Sequence, residues 1–151
     1  MDQPLNQDLI NYASKCLAGV PPNDDNHTVA AAARTSSGLV FTGVNVFHFT
    51  GGPCAELVAL GCAAGAGVLA KDITTMVAVR KDEQGEMSVI NPCGRCRQVL
   101  LDYNPKMNAI VSDEEGRVRE CQVRSLLPFA YVYKDGDTTD RQEKEEEIAI
   151  A

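Results

Sequence analysis

The sequence lacks long apolar runs and has no excess of positive charge. No stretch reaches the roughly 18 apolar residues of a membrane-spanning helix. The first six residues hold neither a basic region nor an apolar segment, so we expect no secretory signal. Lys and Arg number 14 against 21 Asp and Glu, for a net charge of −7. We therefore expect neither a membrane nor a nucleic acid among the partners of this chain.

The composition predicts one globular domain. With 44% hydrophobic residues, a chain of 151 residues can bury one proper core. We predict this domain over residues 1–133. Residues 134–151 carry seven acidic and three basic side chains, which predicts an acidic, flexible C-terminal tail. The six cysteines, without an expected secretory signal, favour free or metal-bound thiols in a cytoplasmic protein.

Helix and strand patterns alternate along the chain in the order α-β-β-α-β-α-β-β. This order predicts a three-layer α/β/α sandwich with a mixed five-stranded sheet. The predicted helices cover residues 7–17, 55–68 and 95–101, with a short one before residue 128, and the predicted strands lie within 28–45 (two strands), 73–80, 109–111 and 117–123. The four alanines at 30–33 favour a helix and conflict with the strand prediction.

Two short motifs supply three thiols and one carboxylate. Residues 54–56 read Cys-Ala-Glu, and residues 92–96 read Pro-Cys-Gly-Arg-Cys. A catalytic zinc ion is held by three protein ligands and leaves its fourth position to water, and the three motif cysteines complete such a set for one zinc per chain. Glu56 is then left as a proton shuttle. The pattern is similar to the three-cysteine form of the zinc deaminase signature. The predicted ligands are Cys54, Cys93 and Cys96.

The flanking residues predict where these thiols lie. Gly-Pro at 52–53 and Asn-Pro at 91–92 are turn signals, so each motif should begin a helix. Two helix N-termini directed at one point should lower the pKa values of the thiols. Three thiolates on a divalent cation still leave a net negative site, for which Arg95 and Arg97 are the expected compensating charges.

Two other readings of the motifs remain open. Cys93 and Cys96 alone could form a redox pair or belong to a structural zinc site. A redox pair does not need Cys54 or Glu56, and a structural site calls for a fourth Cys or His in a second knuckle. In a non-catalytic protein, Glu56 would be an ordinary carboxylate of a first helical turn. The other cysteines, at positions 16, 62 and 121, are expected to be small apolar residues of the core.

Four segments carry a family resemblance: residues 41–46, 54–56, 92–100 and 126–128. Through them the chain resembles the tetrameric cytidine deaminase family over about residues 5–133. Within that family it is most similar to the fungal blasticidin S deaminases, which share residues 46–53 (Val-Phe-His-Phe-Thr-Gly-Gly-Pro) in nearly the same form. The resemblance implies a zinc-dependent homotetramer that hydrolytically deaminates a small-molecule cytosine nucleoside. It also implies that the backbone carbonyl of Ala55 accepts a hydrogen bond from the substrate amino group.

One departure from the family pattern bears on the substrate. The resemblance makes Asn45 the sugar-binding residue, and the nucleoside enzymes place a Glu two residues later to hold a ribose hydroxyl. Here that position is Phe47. The segment between Asn45 and Cys54 is also two residues shorter than in the nucleoside enzymes. Blasticidin S lacks the ribose hydroxyls that such a Glu reads, so we predict this antibiotic as the substrate and antibiotic resistance as the role. The alternatives are cytidine or deoxycytidine deamination in pyrimidine salvage, with Phe47 a core residue.

The resemblance implies four further substrate contacts. His27 occupies the place of a Phe that stacks on the base, and Thr28 next to it would line the pocket. Tyr131 matches a C-terminal aromatic residue that reaches the site of a neighbouring subunit. His48 is a weaker candidate for a polar contact to the part of the substrate outside the cytosine ring.

Overall fold

The computed structural model describes residues 3–133, and their side chains from residue 6 onward. The acidic tail predicted over residues 134–151 lies outside the described residues. Between residues 3 and 133 no helix has the length and apolar character that crossing a membrane requires.

The described chain forms three α-helices and six β-strands. The helices are α1 (Gln3–Ala18), α2 (Ala55–Gly65) and α3 (Gly94–Tyr103). The strands are β1 (Val29–Thr35), β2 (Val40–Val44), β3 (Ile73–Lys81), β4 (Met87–Ile90), β5 (Asn108–Ser112) and β6 (Val118–Gln122). Short 3₁₀ turns cover Ala70–Asp72 and Val123–Leu126.

The strands form one mixed sheet in the order β2-β1-β3-β5-β6. The β3–β5 pair is parallel, whereas β1–β2, β1–β3 and β5–β6 are antiparallel. The mixed sheet is confirmed, but the predicted number of five strands is wrong. The sixth strand, β4, folds back on the C-terminal half of β3. Its four residues are too few to show a periodic pattern, and the polar turn before them masks the hairpin.

Helices cover both faces of the sheet, which confirms the three layers. On one face, Leu9, Ala13 and Leu17 of α1 pack with Ala30 and Ala32 of β1. On the other face, α2 and α3 pack with the intervening alanines, 31 and 33. Alternate alanines therefore point to opposite helical layers, and all four are fully buried. Packing on both faces overrides the helical propensity of this run.

Strand β2 lies directly against α2. A Cβ atom on Gly43 would come within 2.5 Å of the backbone nitrogen of Ala59, so only glycine fits there. The contact fixes the position of α2 relative to the sheet. It thereby fixes the start of α2, where Cys54 and Glu56 lie.

Candidate active site

The N-termini of α2 and α3 bring the three motif cysteines together. Cys54 is the N-cap residue of α2 and Cys93 that of α3. Cys96 lies in the first turn of α3 and is fully buried. The Ser, Thr, Asp or Asn usual at an N-cap is thus replaced by a thiol that is available as a ligand.

The arrangement of the three sulfur atoms fits a zinc ion. All three Sγ atoms lie within 4.8 Å of one another. The Sγ atoms of Cys54 and Cys93 are 3.8 Å apart. Tetrahedral zinc with Zn–S bonds of 2.3 Å would separate its sulfur ligands by about 3.8 Å. Cys54, Cys93 and Cys96 therefore match the donor type and the spacing that zinc requires.

The pKa values of the thiols depend on burial and on the neighbouring groups in a way that the sequence does not predict. Burial raises the pKa of Cys54, and the neighbouring Cys93 and Glu56 raise it further, although a hydrogen bond with Cys96 acts in the opposite direction. Burial also raises the pKa of Cys96 strongly, together with the negative charges of Glu56 and the other two thiolates. The expectation that the helix N-termini lower the thiol pKa values is therefore wrong for these two residues.

The pKa of Cys93 is lowered, as expected for a thiol at a helix N-terminus. Burial alone would raise its pKa, but hydrogen bonds from the backbone N–H groups of Cys96 and Arg95 and from the neighbouring thiols bring the pKa below the ordinary value. Three adjacent thiolates repel one another unless a cation lies between them. A divalent metal bound by all three cysteines would supply that charge and keep them deprotonated.

Glu56 lies beside this cluster in the first turn of α2. Its side chain is buried, with the residue only 5% exposed. Among the described residues it is the one charged residue of the buried set, which otherwise holds two threonines and one asparagine as its polar members. A buried carboxylate next to a metal cluster can exchange protons with a bound substrate without competition from bulk water.

A cavity of about 250 Å³ opens above the cysteines and Glu56. It is lined mostly by apolar side chains, as small-molecule sites usually are. The lining residues are Val29, Asn45, Val46, Phe47, Gly52, Pro53, Cys54, Ala55, Glu56, Ile90, Asn91 and Cys93. The structure thus brings Asn45, Phe47 and Ala55 to the same cavity as the cluster.

Asn45 and Phe47 belong to the loop between β2 and α2. The Oδ1 atom of Asn45 accepts hydrogen bonds from the backbone N–H groups of Thr28 and Val29, at 2.8 and 2.9 Å. Phe47 is 65% exposed at the edge of the cavity. Within one chain Phe47 is therefore not a core residue, contrary to the alternative reading of this position.

The remaining substrate candidates lie elsewhere in the single chain. His27 and Thr28 line a second cavity, of about 500 Å³, between the loop after α1 and the β3–β4 turn. The exposed His48 bonds to Thr50 in its own loop. Tyr131 is 72% exposed, and its backbone carbonyl accepts a hydrogen bond from Gln98 Nε2 at 2.9 Å. In the part of the chain that the structure describes, none of these four side chains lines the cavity above the cysteines.

Both arginines near the cluster bind backbone carbonyl groups. Arg97 donates from Nε to the carbonyl of Pro92 at 2.8 Å and from Nη1 to that of Leu126 at 3.0 Å. Arg95 donates from Nη2 to the carbonyl of Gly52 at 3.3 Å. Each guanidinium thus holds a loop next to one of the three motif cysteines. Their charge compensation of the cluster stays a prediction.

Sequence reasoning missed Asn91. Its side chain donates to the carbonyl of Ser112 at 2.9 Å and accepts from the N–H of the same residue at 2.8 Å. This pair of bonds ties the Cys93 loop to β5, and Asn91 also lines the cavity. The signal that could have revealed it is an amide side chain immediately before Pro92.

Comparison with known proteins identifies the family. No family model matches the sequence. The chain is 33% identical over 114 residues to a blasticidin-S deaminase of Bacillus cereus, which covers 72% of this chain and 79% of that protein. It is 34% identical over 132 residues to a cytidine deaminase of Mycobacterium tuberculosis, and this match covers 84% of this chain and 90% of that protein.

A solved structure gives the same result. The cytidine deaminase of Burkholderia pseudomallei superimposes with a TM-score of 0.68 at 30% identity, over 83% of this chain and 98% of that one. Similarity of sequence and of fold thus extends over most of the chain. The chain belongs to the cytidine deaminase family and is an enzyme of cytosine deamination.

Proposed function

We propose that this protein is a zinc-dependent aminohydrolase that removes the amino group from the cytosine ring of blasticidin S and thereby detoxifies the antibiotic in the cytoplasm. The observation that carries the hydrolytic chemistry is the buried Glu56 beside three sulfur atoms spaced for zinc. The observation that carries the substrate is Phe47 at the edge of the cavity. The similarity to the Bacillus cereus blasticidin-S deaminase supports both.

Different residues of the chain bind the metal and transfer the protons. Cys54, Cys93 and Cys96 hold one zinc ion, which supplies a Lewis acid that makes a water molecule acidic enough to react. Glu56 takes a proton from the attacking water, whose oxygen adds to carbon 4 of the ring. The same carboxyl group delivers that proton to ring nitrogen 3, and then carries the remaining proton of the former water from the new hydroxyl group on carbon 4 to the amine, which leaves as ammonia.

Ala55 offers a backbone contact to the ring. As the first residue of α2, its N–H has no partner within the helix, whereas its carbonyl belongs to the hydrogen-bond ladder. We therefore assign the N–H of Ala55 as a donor to an acceptor atom of the cytosine ring. This assignment revises the carbonyl contact that the family resemblance implies.

The loop from Asn45 to Pro53 would hold the sugar side of the substrate. A long hydrogen bond of 3.5 Å to the carbonyl of Asn26 uses one N–H of the Asn45 amide. We assign the other N–H to the sugar side of the substrate. Phe47 presents an apolar ring where an acidic residue would bind a ribose hydroxyl, so the cavity favours a sugar without that hydroxyl.

Phe47→Glu tests the substrate assignment. The new carboxylate would crowd the sugar side of blasticidin S and find no hydroxyl to bind. We expect the ratio of kcat/KM for blasticidin S to that for cytidine to fall about tenfold or more, on the scale of 1–3 kcal/mol for one unpaired polar group. The measurement is ammonia release from both substrates with the wild type and the variant.

Phe49→Glu is the matched control. Phe49 lies in the same loop, is 88% exposed and does not line the cavity. The control variant therefore adds the same charge as Phe47→Glu, but at a position outside the cavity. The ratio should stay within about twofold of the wild type in this control. If Phe47→Glu leaves the ratio unmoved, or if both variants shift it equally, Phe47 does not select the substrate.

Cytidine or deoxycytidine is the second candidate substrate. The observation in its favour is that the similarity to the Mycobacterium tuberculosis cytidine deaminase extends over 84% of the chain, against 72% for the blasticidin-S deaminase. Under this candidate, the wild type would prefer cytidine and Phe47 would have no selective role.

We further propose that the active assembly is a homotetramer in which Tyr131 reaches a neighbouring site. The segment from Phe129 to Tyr133 supports this, because its aromatic side chains are exposed in the single chain, that of Phe129 by 98%. Exposed apolar side chains that cluster in this way are typical of surfaces between subunits.

Tyr131→Ala should therefore lower activity without lowering zinc content, because the residue is not one of the three cysteines and does not line the cavity above them in its own chain. Deletion of residues 134–151 should leave activity and assembly intact. Sedimentation at the assay concentration together with ammonia release measures both effects. A fully active monomer would refute the shared site.

A further inference from the structure

We propose that His27 positions the substrate-facing loop, defined as residues 45–53, by donating a hydrogen bond to the first carbonyl group of that loop. His27 Nδ1 lies 2.7 Å from the carbonyl oxygen of Asn45. A carbonyl oxygen can only accept, so Nδ1 carries the proton in this tautomer. This role differs from the base-stacking role that the family resemblance implies. It rests on the proposed function, because Asn45 and Phe47 are assigned there to the substrate.

The substrate-facing loop is anchored at both ends. At its start, the backbone N–H groups of Asn45 and Phe47 donate to the carbonyls of Val29 and Asn26, both at 3.0 Å. The His27 bond adds a side-chain anchor between these two backbone bonds. At its far end, Arg95 donates to the carbonyl of Gly52.

The ring of His27 is occupied within its own chain. Its second nitrogen, Nε2, lies 3.9 Å from Oδ2 of Asp24, and the side chain is 37% exposed. Both nitrogens thus face protein groups, and the ring does not line the cavity above the cysteines. A ring held in this way orients a backbone segment and is not directed at a base in the cavity of the same chain.

Movement at the Asn45 carbonyl would be transmitted to the cavity. Rotation of the Asn45–Val46 peptide would displace the side chains of Asn45 and Phe47, which both line the cavity. The loop is closely packed at this point, because a Cβ atom added to Gly52 would lie 1.5 Å from the carbonyl oxygen of Val46. His27 is therefore a positioning residue for the sugar side, remote from proton transfer at Glu56. Its loss should raise KM and leave kcat nearly unchanged.

Three variants of His27 separate the donor from the ring. The amide nitrogen of Asn can take the place of Nδ1, that of Gln reaches the place of Nε2, and Phe keeps a ring without a donor. We expect His27→Asn to retain the wild-type KM for the better cytosine substrate within about twofold. His27→Gln and His27→Phe should raise it about three- to tenfold, the scale of one neutral hydrogen bond, with kcat and zinc content unchanged.

Hydrogen exchange supplies a readout independent of catalysis. The amide of Phe47 should exchange several-fold faster in His27→Gln and His27→Phe and at the wild-type rate in His27→Asn. The proposal is overturned if His27→Phe keeps the wild-type KM while His27→Asn loses it, which is the result of base stacking, or if the three variants behave alike. A wild type that deaminates no cytosine nucleoside would refute the proposed function instead, and the exchange rates would still decide the role of His27.

Discussion

Glu56→Gln should retain about one zinc per chain and lose deamination by roughly two to four orders of magnitude. The side chain is not one of the three sulfur ligands, so the metal site stays intact. The amide cannot take a proton from water or deliver one to the ring, and burial restricts the access of solvent that could replace it. Metal analysis of the purified variant and single-turnover ammonia release measure the two quantities.

Glu114→Gln is a suitable control for this change. Glu114 is exposed in the turn between β5 and β6, so the same loss of charge should leave turnover unaffected. Near-normal turnover of Glu56→Gln would show that another group shuttles the proton. Loss of zinc from Glu56→Gln would show that the carboxylate acts as a ligand.

Cys93→Ser should lose most of its zinc, all measurable activity and part of the stability of the fold. The thiol lies at the start of α3, 3.8 Å from the Cys54 sulfur at the start of α2, so a metal held by both would link two helix N-termini. A ligand present at a hundred times its dissociation constant contributes about 2.7 kcal/mol to stability. For a domain of this size, that loss lowers Tm by roughly 5–10 °C.

Cys62→Ser provides the matched control, since Cys62 is an exposed thiol on α2, outside the cluster, and the prediction that it is a core residue is wrong. It should keep zinc, activity and Tm. Zinc content, followed together with thermal unfolding, distinguishes the readings of the motif. If Cys93→Ser lost no stability and the wild type held no zinc, the cysteines would be a redox pair.

The sequence predicts well which residues meet at the cysteine cluster, because their meeting depends on local signals. A turn residue before each motif predicts a helix start, and residues at a helix start have known positions relative to one another. Cys54, Glu56, Cys93 and Cys96 therefore meet in the structure as the two motifs require. The alternating patterns likewise predict the three layers, because each element buries one face or both.

Features that depend on contacts between distant segments are not predictable in this way. Strand β4 becomes regular only through its pairing with β3. The raised pKa values of Cys54 and Cys96 arise from burial and from mutual repulsion, which the spacing of residues does not reveal. The bond from His27 to the Asn45 carbonyl joins residues 18 positions apart. The family resemblance instead implies that this ring stacks on the base of the substrate.

The most direct test of the proposed function offers blasticidin S, cytidine and deoxycytidine separately to the purified, zinc-loaded wild type and follows ammonia release from each. The expected result is release from blasticidin S with the highest kcat/KM of the three, because Phe47 replaces a group that would bind a ribose hydroxyl. Release from none of the three would contradict the deaminase mechanism built on Glu56. A higher kcat/KM for cytidine or deoxycytidine would contradict the assignment of the antibiotic as substrate.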